Sequence, residues 1–192
     1  MKRARVLGEI TRTERGLCVA VRHGRDNNLR RIVGPAYFKQ SHVDCNAFLG
    51  GILKNYNSNL MLSDKSDLAV IEADEFDRSF HWLNPYMAVI TAVDPDHLDI
   101  YGTPAAYRES FEHFTSLIRP DGCLVMKKGL QLQPRLPEGT KLYTYSATEE
   151  ADFFARNIRI GNGDIVFDFV TPDGSIPDVK LGVPVKSILK ME

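Results

Sequence analysis

The sequence has no long hydrophobic segment and almost no net charge, and each absence excludes a class of protein. No apolar run approaches the roughly 20 residues that a membrane-spanning helix needs. Its 24 basic and 25 acidic residues leave a formal net charge of -1, which gives no electrostatic basis for binding nucleic acid or inserting at an anionic membrane surface. The basic start, Met1–Arg5, leads into no apolar core, so we expect no signal peptide.

Cysteine is also scarce. The three cysteines, Cys18, Cys45 and Cys123, are far apart and form no C-x-x-C pair. Their spacing predicts buried, reduced thiols in a cytoplasmic protein rather than a disulfide framework or a zinc site. The 192 residues, 43% of them hydrophobic, suffice for one globular domain with a proper core.

Short apolar runs are present, and they recur at intervals that leave room for helices. Four of them read as strands: Leu17–Ala20, Leu68–Ile71, Met87–Thr91 and Cys123–Met126. Because these runs are continuous rather than alternating, they indicate strands buried on both faces, as in a parallel sheet.

An amphipathic helix is predicted between the third and fourth runs. Thr103 suits its N-cap, Pro104 suits its first turn, and Pro120 is expected to stop it. Large apolar residues recur there at helical spacing: Tyr107, Phe111, Phe114 and Ile118. Strand, helix and strand in this order indicate a doubly wound α/β fold with a mostly parallel sheet.

The pattern changes after about Lys128 and predicts a small antiparallel sheet attached to the parallel core. Lys141–Tyr145 resembles another short strand. Asp152–Ile160 and Asp164–Val170 alternate more strongly and flank Gly161-Asn162-Gly163, a hairpin signal. A second turn, Pro172-Asp173-Gly174, leads towards the strand Val179–Leu181.

Acidic residues cluster directly after the second apolar run. Four carboxylates stand within six residues: Glu72, Asp74, Glu75 and Asp77. Ligands bind at the carboxyl ends of strands in open α/β sheets, and clustered carboxylates are stabilised by cations such as Mg²⁺. The alternative is a solvated acidic loop that caps a helix at Phe76–Trp82.

A histidine follows the third apolar run in a similar position. His97 stands among Asp94, Asp96 and Asp99. If the second and third strands are neighbours, Glu72 and His97 converge on one edge as ligands of a divalent cation. The alternative is a histidine that is structural or merely exposed.

The segment after the first strand lies where a nucleotide-binding domain carries its phosphate loop. His23-Gly24 has the character of such a loop, and Arg25 supplies a positive charge without the compact ammonium of lysine. Asp26 would set a carboxylate against phosphate, and no hydroxyl follows it directly. By itself this segment does not read as a phosphate loop.

Taken together, these segments resemble the Mur ligases, and among them the members that join L-alanine to UDP-N-acetylmuramate. The resemblance runs almost continuously from about Gln40 to Lys186, and Lys2–Ala20 also resembles the stretch before the family's phosphate loop. The motifs that carry it are Glu72-Ala73-Asp74-Glu75 with Asp77 and Ser79, then Asp96-His97-Leu98-Asp99 with Tyr101, and the strand and glycine turn Asn46–Ile52.

The resemblance implies a cytoplasmic ligase of peptidoglycan precursor synthesis, hence of cell wall formation, cell shape and division. ATP would phosphorylate the muramic acid carboxylate, and the amine of L-alanine would attack the acyl phosphate, with Mg²⁺ offsetting charge. The resemblance assigns Mg²⁺ to Glu72 and His97. It implies substrate-side positions at Gly50, Gly51 and Asp96, and phosphate-loop remnants at His23, Gly24 and Arg25.

Departures from the family pattern imply a single, impaired domain. Residues 1–39 are interpreted as the lead-in, first strand and altered phosphate-loop region, and 40–192 as the remainder of the central ATP-binding domain, with the UDP-binding and C-terminal ligase domains absent. Val21–Lys39 does not match the family's glycine–lysine–threonine loop and helix, and Ser187–Glu192 is also unlike it. A shifted reading frame, a sequencing error or a genuine variant would each explain this. We therefore expect an inactive form, with a non-catalytic Mg²⁺- or sugar-nucleotide-binding remnant as the alternative.

Overall fold

The computed structural model describes residues 17–22, 43–53, 57–161 and 164–181. Its strands are β1 Leu17–Arg22, β2 Asn46–Leu53, β3 Ser58–Met61, β4 Leu68–Glu72, β5 Met87–Ile90, β6 Cys123–Lys127, β7 Lys141–Ser146, β8 Phe153–Gly161, β9 Asp164–Thr171 and β10 Gly174–Leu181. The α-helices are α1 Leu98–Tyr101 and α2 Pro104–Thr115, and 3-10 turns span Phe76–Trp82. No helix in these ranges is long and apolar enough to cross a membrane.

The described residues fall into two compact units. The first contains those up to Val125 together with Leu130–Leu142, and the second contains Met126–Gly129 and those from Tyr143 onward. In the first unit the strands lie in the order β6-β5-β1-β4-β2-β3, with β6 contributing its residues up to Val125. β1 runs parallel to both β4 and β5, β2 runs parallel to β4, and β3 is an antiparallel edge strand. The predicted doubly wound, mostly parallel α/β sheet is confirmed.

The strand order corrects one expectation, that β4 and β5 are neighbours. β1 lies between them and pairs with both, with Val19 opposite Val70 on one side and Met87 on the other. Two strand spacings, about 10 Å, therefore separate β4 from β5. Consecutive strands often pair, but in a doubly wound sheet an earlier strand can occupy the centre. All three strands are parallel, so their carboxyl ends still meet at one edge.

Helix α2 forms as its sequence pattern predicts. The Thr103 hydroxyl caps it by accepting a hydrogen bond from the Ala106 amide at 3.1 Å, and Pro104 occupies the first turn. The predicted apolar stripe is buried: Tyr107, Phe111, Phe114 and Ile118. The helix ends at Thr115, five residues before Pro120, because the next residues tighten into turns with amide bonds to Phe114 and Thr115.

A compact apolar cluster lies beside β2 and β4. Its members are Cys45, Ala47, Leu49, Met61, Leu68 and Val70. Cys45 is a buried free thiol, as predicted. Cys123 is a free thiol that is only half-buried, and its burial raises the thiol pKa. The Cys18 thiol lies outside the described side chains.

The second unit contains β7-β8-β9-β10 in that order, with β7 contributing its residues from Tyr143 onward. β8, β9 and β10 pair antiparallel, which agrees with the predicted sheet, although Asn162 and Gly163 of the hairpin signal lie outside the described residues. β7 instead pairs parallel with β8, through Tyr145–Phe153 and Ser146–Phe154. At this connection the Asp152 carboxylate accepts hydrogen bonds from the amide and hydroxyl of Thr144, at 2.7 and 2.8 Å.

Candidate functional site

The carboxyl ends of β4, β1 and β5 define the candidate site. Val21 of β1 pairs with Glu72 at the end of β4, and Arg22 pairs with Ile90 at the end of β5. The carboxyl end of β1 therefore lies between the carboxyl ends of β4 and β5. His23, Gly24 and Arg25 follow β1 in the sequence and lie outside the described residues.

Glu72 is the last residue of β4 and contacts β2. Its Oε2 accepts a hydrogen bond from the Gly50 amide at 2.6 Å. Gly50 and Gly51 lie within β2 rather than in the expected turn, at a place where the pairing with β3 shifts register between Phe48 and Leu53. The structure thus brings together Glu72, predicted as a metal ligand, and Gly50, predicted as a substrate-side residue.

The acidic segment after β4 folds back on itself in 3-10 turns. Asp74 fixes the first turn, because its carboxylate accepts from the Phe76 amide at 3.0 Å and its carbonyl accepts from the Phe80 amide at 2.8 Å. Asp77 and Arg78 both adopt left-handed backbone conformations, with φ 53°. Helical turns span Phe76–Trp82, as the alternative predicted, and Asp74 and Asp77 are exposed, whereas Glu75 is buried at 7% exposed.

His97 stands immediately before α1, in a left-handed conformation with φ 51°. Its amide donates a hydrogen bond to the Asp96 carboxylate at 2.9 Å. Its Nε2 lies 3.7 Å from Oε1 of Glu75, and its ring meets the Phe76 ring edge-on at 5.2 Å. The side chain is 35% exposed, so solvent reaches the imidazole. These contacts restrict the His97 side chain beside a buried carboxylate, so His97 is not merely an exposed histidine.

Tyr101 ties this arrangement to α1. Its hydroxyl donates to the carbonyl of Glu75 at 2.5 Å, and the Arg78 guanidinium lies over its ring at 4.8 Å. Sequence reasoning missed the roles of Glu75 and Tyr101 in holding His97. The spacing of carboxylates does not reveal which one is buried, because burial depends on how the turns fold back.

Glu112 also has a structural partner. Its carboxylate accepts a hydrogen bond from the Arg135 guanidinium at 2.8 Å. This contact joins α2 to the segment after β6 within the first unit, and the Thr115 hydroxyl reinforces it by accepting from the Arg135 amide at 2.8 Å.

The side chains at this edge suit an open Mg²⁺ site better than a site in which protein ligands surround the metal completely. Within the described part of the chain, no group of three or more His, Cys, Asp and Glu side chains is arranged to hold a metal ion. Mg²⁺ is usually bound by one or two carboxylates completed by water and phosphate oxygens. The fixed carboxylate of Glu72 fits that role, whereas the imidazole of His97 is a less usual Mg²⁺ ligand.

Comparison with known proteins accounts for most of the chain. Residues 40–188 match the model of the Mur ligase middle domain family. The match begins directly after residue 39. It includes both Glu72 and His97 with their supporting residues Gly50, Glu75 and Tyr101.

Similar proteins agree with that match. UDP-N-acetylmuramate–L-alanine ligase from Parabacteroides distasonis is 72% identical over 186 residues, which cover 97% of this chain and 40% of the relative. Among solved structures, the UDP-N-acetylmuramate-alanine ligase MurC from Thermotoga maritima shares the fold with a TM-score of 0.72 at 18% identity, over 97% of this chain and 41% of that one. MurF ligase from the same organism, in complex with ADP, has a TM-score of 0.66 at 16% identity, over 98% and 46%. This chain belongs to the Mur ligase middle domain family.

Proposed function

We propose that this chain is the central ATP-binding domain of a ligase that joins L-alanine to UDP-N-acetylmuramate in peptidoglycan precursor synthesis. The chain spans 40% of the length of the relative from Parabacteroides distasonis, so the complete reaction also involves parts of the enzyme that the match does not cover. The observation that carries the proposal is the shared edge of β4, β1 and β5, where Glu72 ends β4 and His97 lies 3.7 Å from Glu75 in the segment after β4.

The reaction would take place in two steps. A carboxylate oxygen of UDP-N-acetylmuramate attacks the γ-phosphorus of ATP and ADP leaves. The amine of L-alanine then attacks the acyl phosphate, phosphate leaves, and the nitrogen loses a proton to give the amide. A bound Mg²⁺ supplies charge neutralisation for the transferred phosphoryl group.

The residues of this chain would hold and orient the reacting groups. Glu72 would bind Mg²⁺, with its carboxylate fixed by the Gly50 amide. His97 would complete the site, with Glu75 and Phe76 restricting its ring. Asp96 would restrict the backbone at His97 through its bond to that amide. Such a fixed arrangement lowers the barrier by positioning and by electrostatic stabilisation.

We further propose that the 192-residue chain itself does not turn over. The segment His23-Gly24-Arg25-Asp26 lacks the lysine and the hydroxyl that a phosphate loop uses for the β- and γ-phosphates and for Mg²⁺. The expected behaviour is that of a cytoplasmic Mg²⁺-binding domain with impaired ATP binding. A sugar-nucleotide-binding remnant is the second candidate, because Gly50, a substrate-side position by resemblance, contacts Glu72.

Metal binding and turnover test these proposals separately. Mn²⁺, a paramagnetic substitute for Mg²⁺, should bind the wild-type chain, and Glu72→Ala should abolish that binding. Glu138→Ala, which removes an exposed carboxylate, is the matched control and should bind like wild type. Mn²⁺ binding that is equal in all three proteins would contradict the metal site. Release of ADP that depends on both L-alanine and UDP-N-acetylmuramate would contradict the proposed inactivity.

A further inference from the structure

Gly50 lies in β2 just beyond the residues that pair regularly with the neighbouring strands. The parallel register of β2 with β4 runs from Asn46–Ala69 to Phe48–Ile71, and the antiparallel register with β3 shifts after Phe48. The amide of Gly50 therefore lies beyond the regular ladder. It donates instead to a side chain, the Glu72 carboxylate, at 2.6 Å. A main-chain donor at a strand end thus satisfies a carboxylate oxygen rather than a carbonyl.

The missing side chain of Gly50 is as important as its amide. A Cβ at this position would lie 2.9 Å from Oε2 of Glu72 and 3.3 Å from its Cδ. Atoms this close would displace the carboxylate, so any other residue at position 50 would drive Glu72 from its present place. The backbone of Gly50 is not in the left-handed region, so close approach, rather than an unusual φ, requires glycine here.

We propose that Gly50 is a positioning residue: it orients the Glu72 carboxylate that binds the metal ion. A glutamate has several rotatable bonds, and its carboxylate can present either oxygen in many directions. Fixing Oε2 on the Gly50 amide sets the plane of the carboxylate and the direction in which it meets a cation. Groups that orient metal ligands in this way commonly change metal affinity by about 10- to 100-fold when removed. This inference rests on the Mg²⁺ site proposed above and assigns Gly50 a different role from direct substrate contact.

Mn²⁺ affinity measured on four variants tests the role. Gly50→Ala should weaken Mn²⁺ binding by about 10- to 100-fold. Gly161→Ala is the matched control and should bind like wild type, because an added Cβ there meets no heavy atom within 4 Å in the described part of the chain. Glu72→Asp should weaken binding too, because its shorter side chain withdraws from the Gly50 amide.

The double variant Gly50→Ala with Glu72→Asp separates positioning from general damage. The shorter aspartate makes room for the alanine Cβ, so the double variant should bind Mn²⁺ at least as tightly as Gly50→Ala alone. Losses that multiply in the double variant would overturn the positioning role. Far-UV circular dichroism of each variant checks that the fold is intact.

A metal-free measurement keeps the inference testable if Gly50→Ala does not fold. In the wild-type chain the Gly50 amide proton should resonate downfield, as expected for a short bond to a carboxylate, and Glu72→Ala should move it upfield. The Gly161 amide should not move. An unchanged Gly50 amide would overturn the contact. A wild-type chain that binds no Mn²⁺ would overturn the metal site, while the amide shift still decides the contact between Gly50 and Glu72.

Discussion

The two compact units of the chain differ in how they are held together. The first unit contains almost all of the buried apolar side chains, including Tyr107, Phe111 and Phe114 at 0% exposed. Among the described residues, the second contributes Met126 and Ile165 to that set. Parallel strands covered on both faces build a core, whereas the antiparallel strands of the second unit rely more on pairing. The candidate site lies on the unit whose geometry is fixed by packing.

The largest expected effect is the loss of a buried ring from the first unit. Phe111 lies on α2, 5.1 Å from the Phe80 ring and 4.9 Å from the Tyr107 ring between centroids. Phe111→Ala should lower the free energy of unfolding by about 3–5 kcal/mol because it leaves a cavity. Phe169 in the second unit is only half-buried. Phe169→Ala should therefore lower the free energy of unfolding by roughly 1 kcal/mol. Urea unfolding measures both, and equal losses would contradict the difference between the units.

The next effect tests the start of α2. Thr103→Ala removes the hydroxyl that accepts from the Ala106 amide, and should lower the free energy of unfolding by about 1 kcal/mol. Thr103→Ser keeps an accepting hydroxyl and is the matched control. Amide hydrogen exchange should show faster opening in the first turn of α2 in the alanine variant alone. Equal protection in both variants would show that the cap does not hold the helix.

Acid should affect the two units in different pH windows. Burial lowers the pKa of His81 below 6.5, and its Nε2 lies 2.9 Å from the Ser110 carbonyl on α2. Below pH 6.5 the histidine of the unfolded chain takes up a proton more readily than that of the folded chain. This contribution to stability is therefore present above pH 6.5 and is lost as pH falls towards the folded pKa. Because His81 is only about half buried, we expect a smaller effect than that of the cap.

In the second unit the response begins at lower pH. Hydrogen bonds from Thr144 lower the pKa of Asp152 below 3.8, so its contribution is present above pH 3.8 and is lost as pH falls through the folded pKa. Residue-resolved hydrogen exchange between pH 7 and 3 should show loosening near His81 first. His81→Phe should abolish the earlier change and leave the later one. Simultaneous loosening of both units would contradict the two separate windows.

The smallest expected effect is that of a surface ion pair in the second unit. Arg159 contacts Asp178 across β8 and β10, and both side chains are more than half exposed. Arg159→Ala should lower the free energy of unfolding by about 0.2–1 kcal/mol, and the difference should shrink in high salt. Thermal unfolding at low and high salt measures this. A salt-independent loss well above 1 kcal/mol would show that packing of the arginine stem dominates.

The sequence predicted the helices and strands whose buried residues form a regular hydrophobic pattern. The helical spacing of Tyr107, Phe111 and Phe114 gave α2 and its buried face. β3, Ser58–Met61, escaped prediction because only Met61 is buried in this edge strand. Its burial pattern carries neither a continuous apolar run nor a regular alternation.

The contacts of the site were harder to predict than its residues. Glu72 and His97 could be selected because each follows an apolar run, but the sequence does not specify the order of strands in the sheet. The contact of Glu72 with Gly50 depends on β2 lying next to β4, and the separation of β4 from β5 depends on β1 lying between them. The proximity of Glu75 to His97 depends on left-handed residues at Asp77, Arg78 and His97, which no hydrophobic pattern encodes.

The location of a bound cation tests the proposed site most directly. Crystals of the chain soaked in Mn²⁺ would be measured for anomalous scattering. The account predicts an anomalous peak at the carboxyl edge of β4, roughly 2.0–2.2 Å from a carboxylate oxygen of Glu72. Anomalous peaks at other places, with none beside Glu72, would contradict the proposed site.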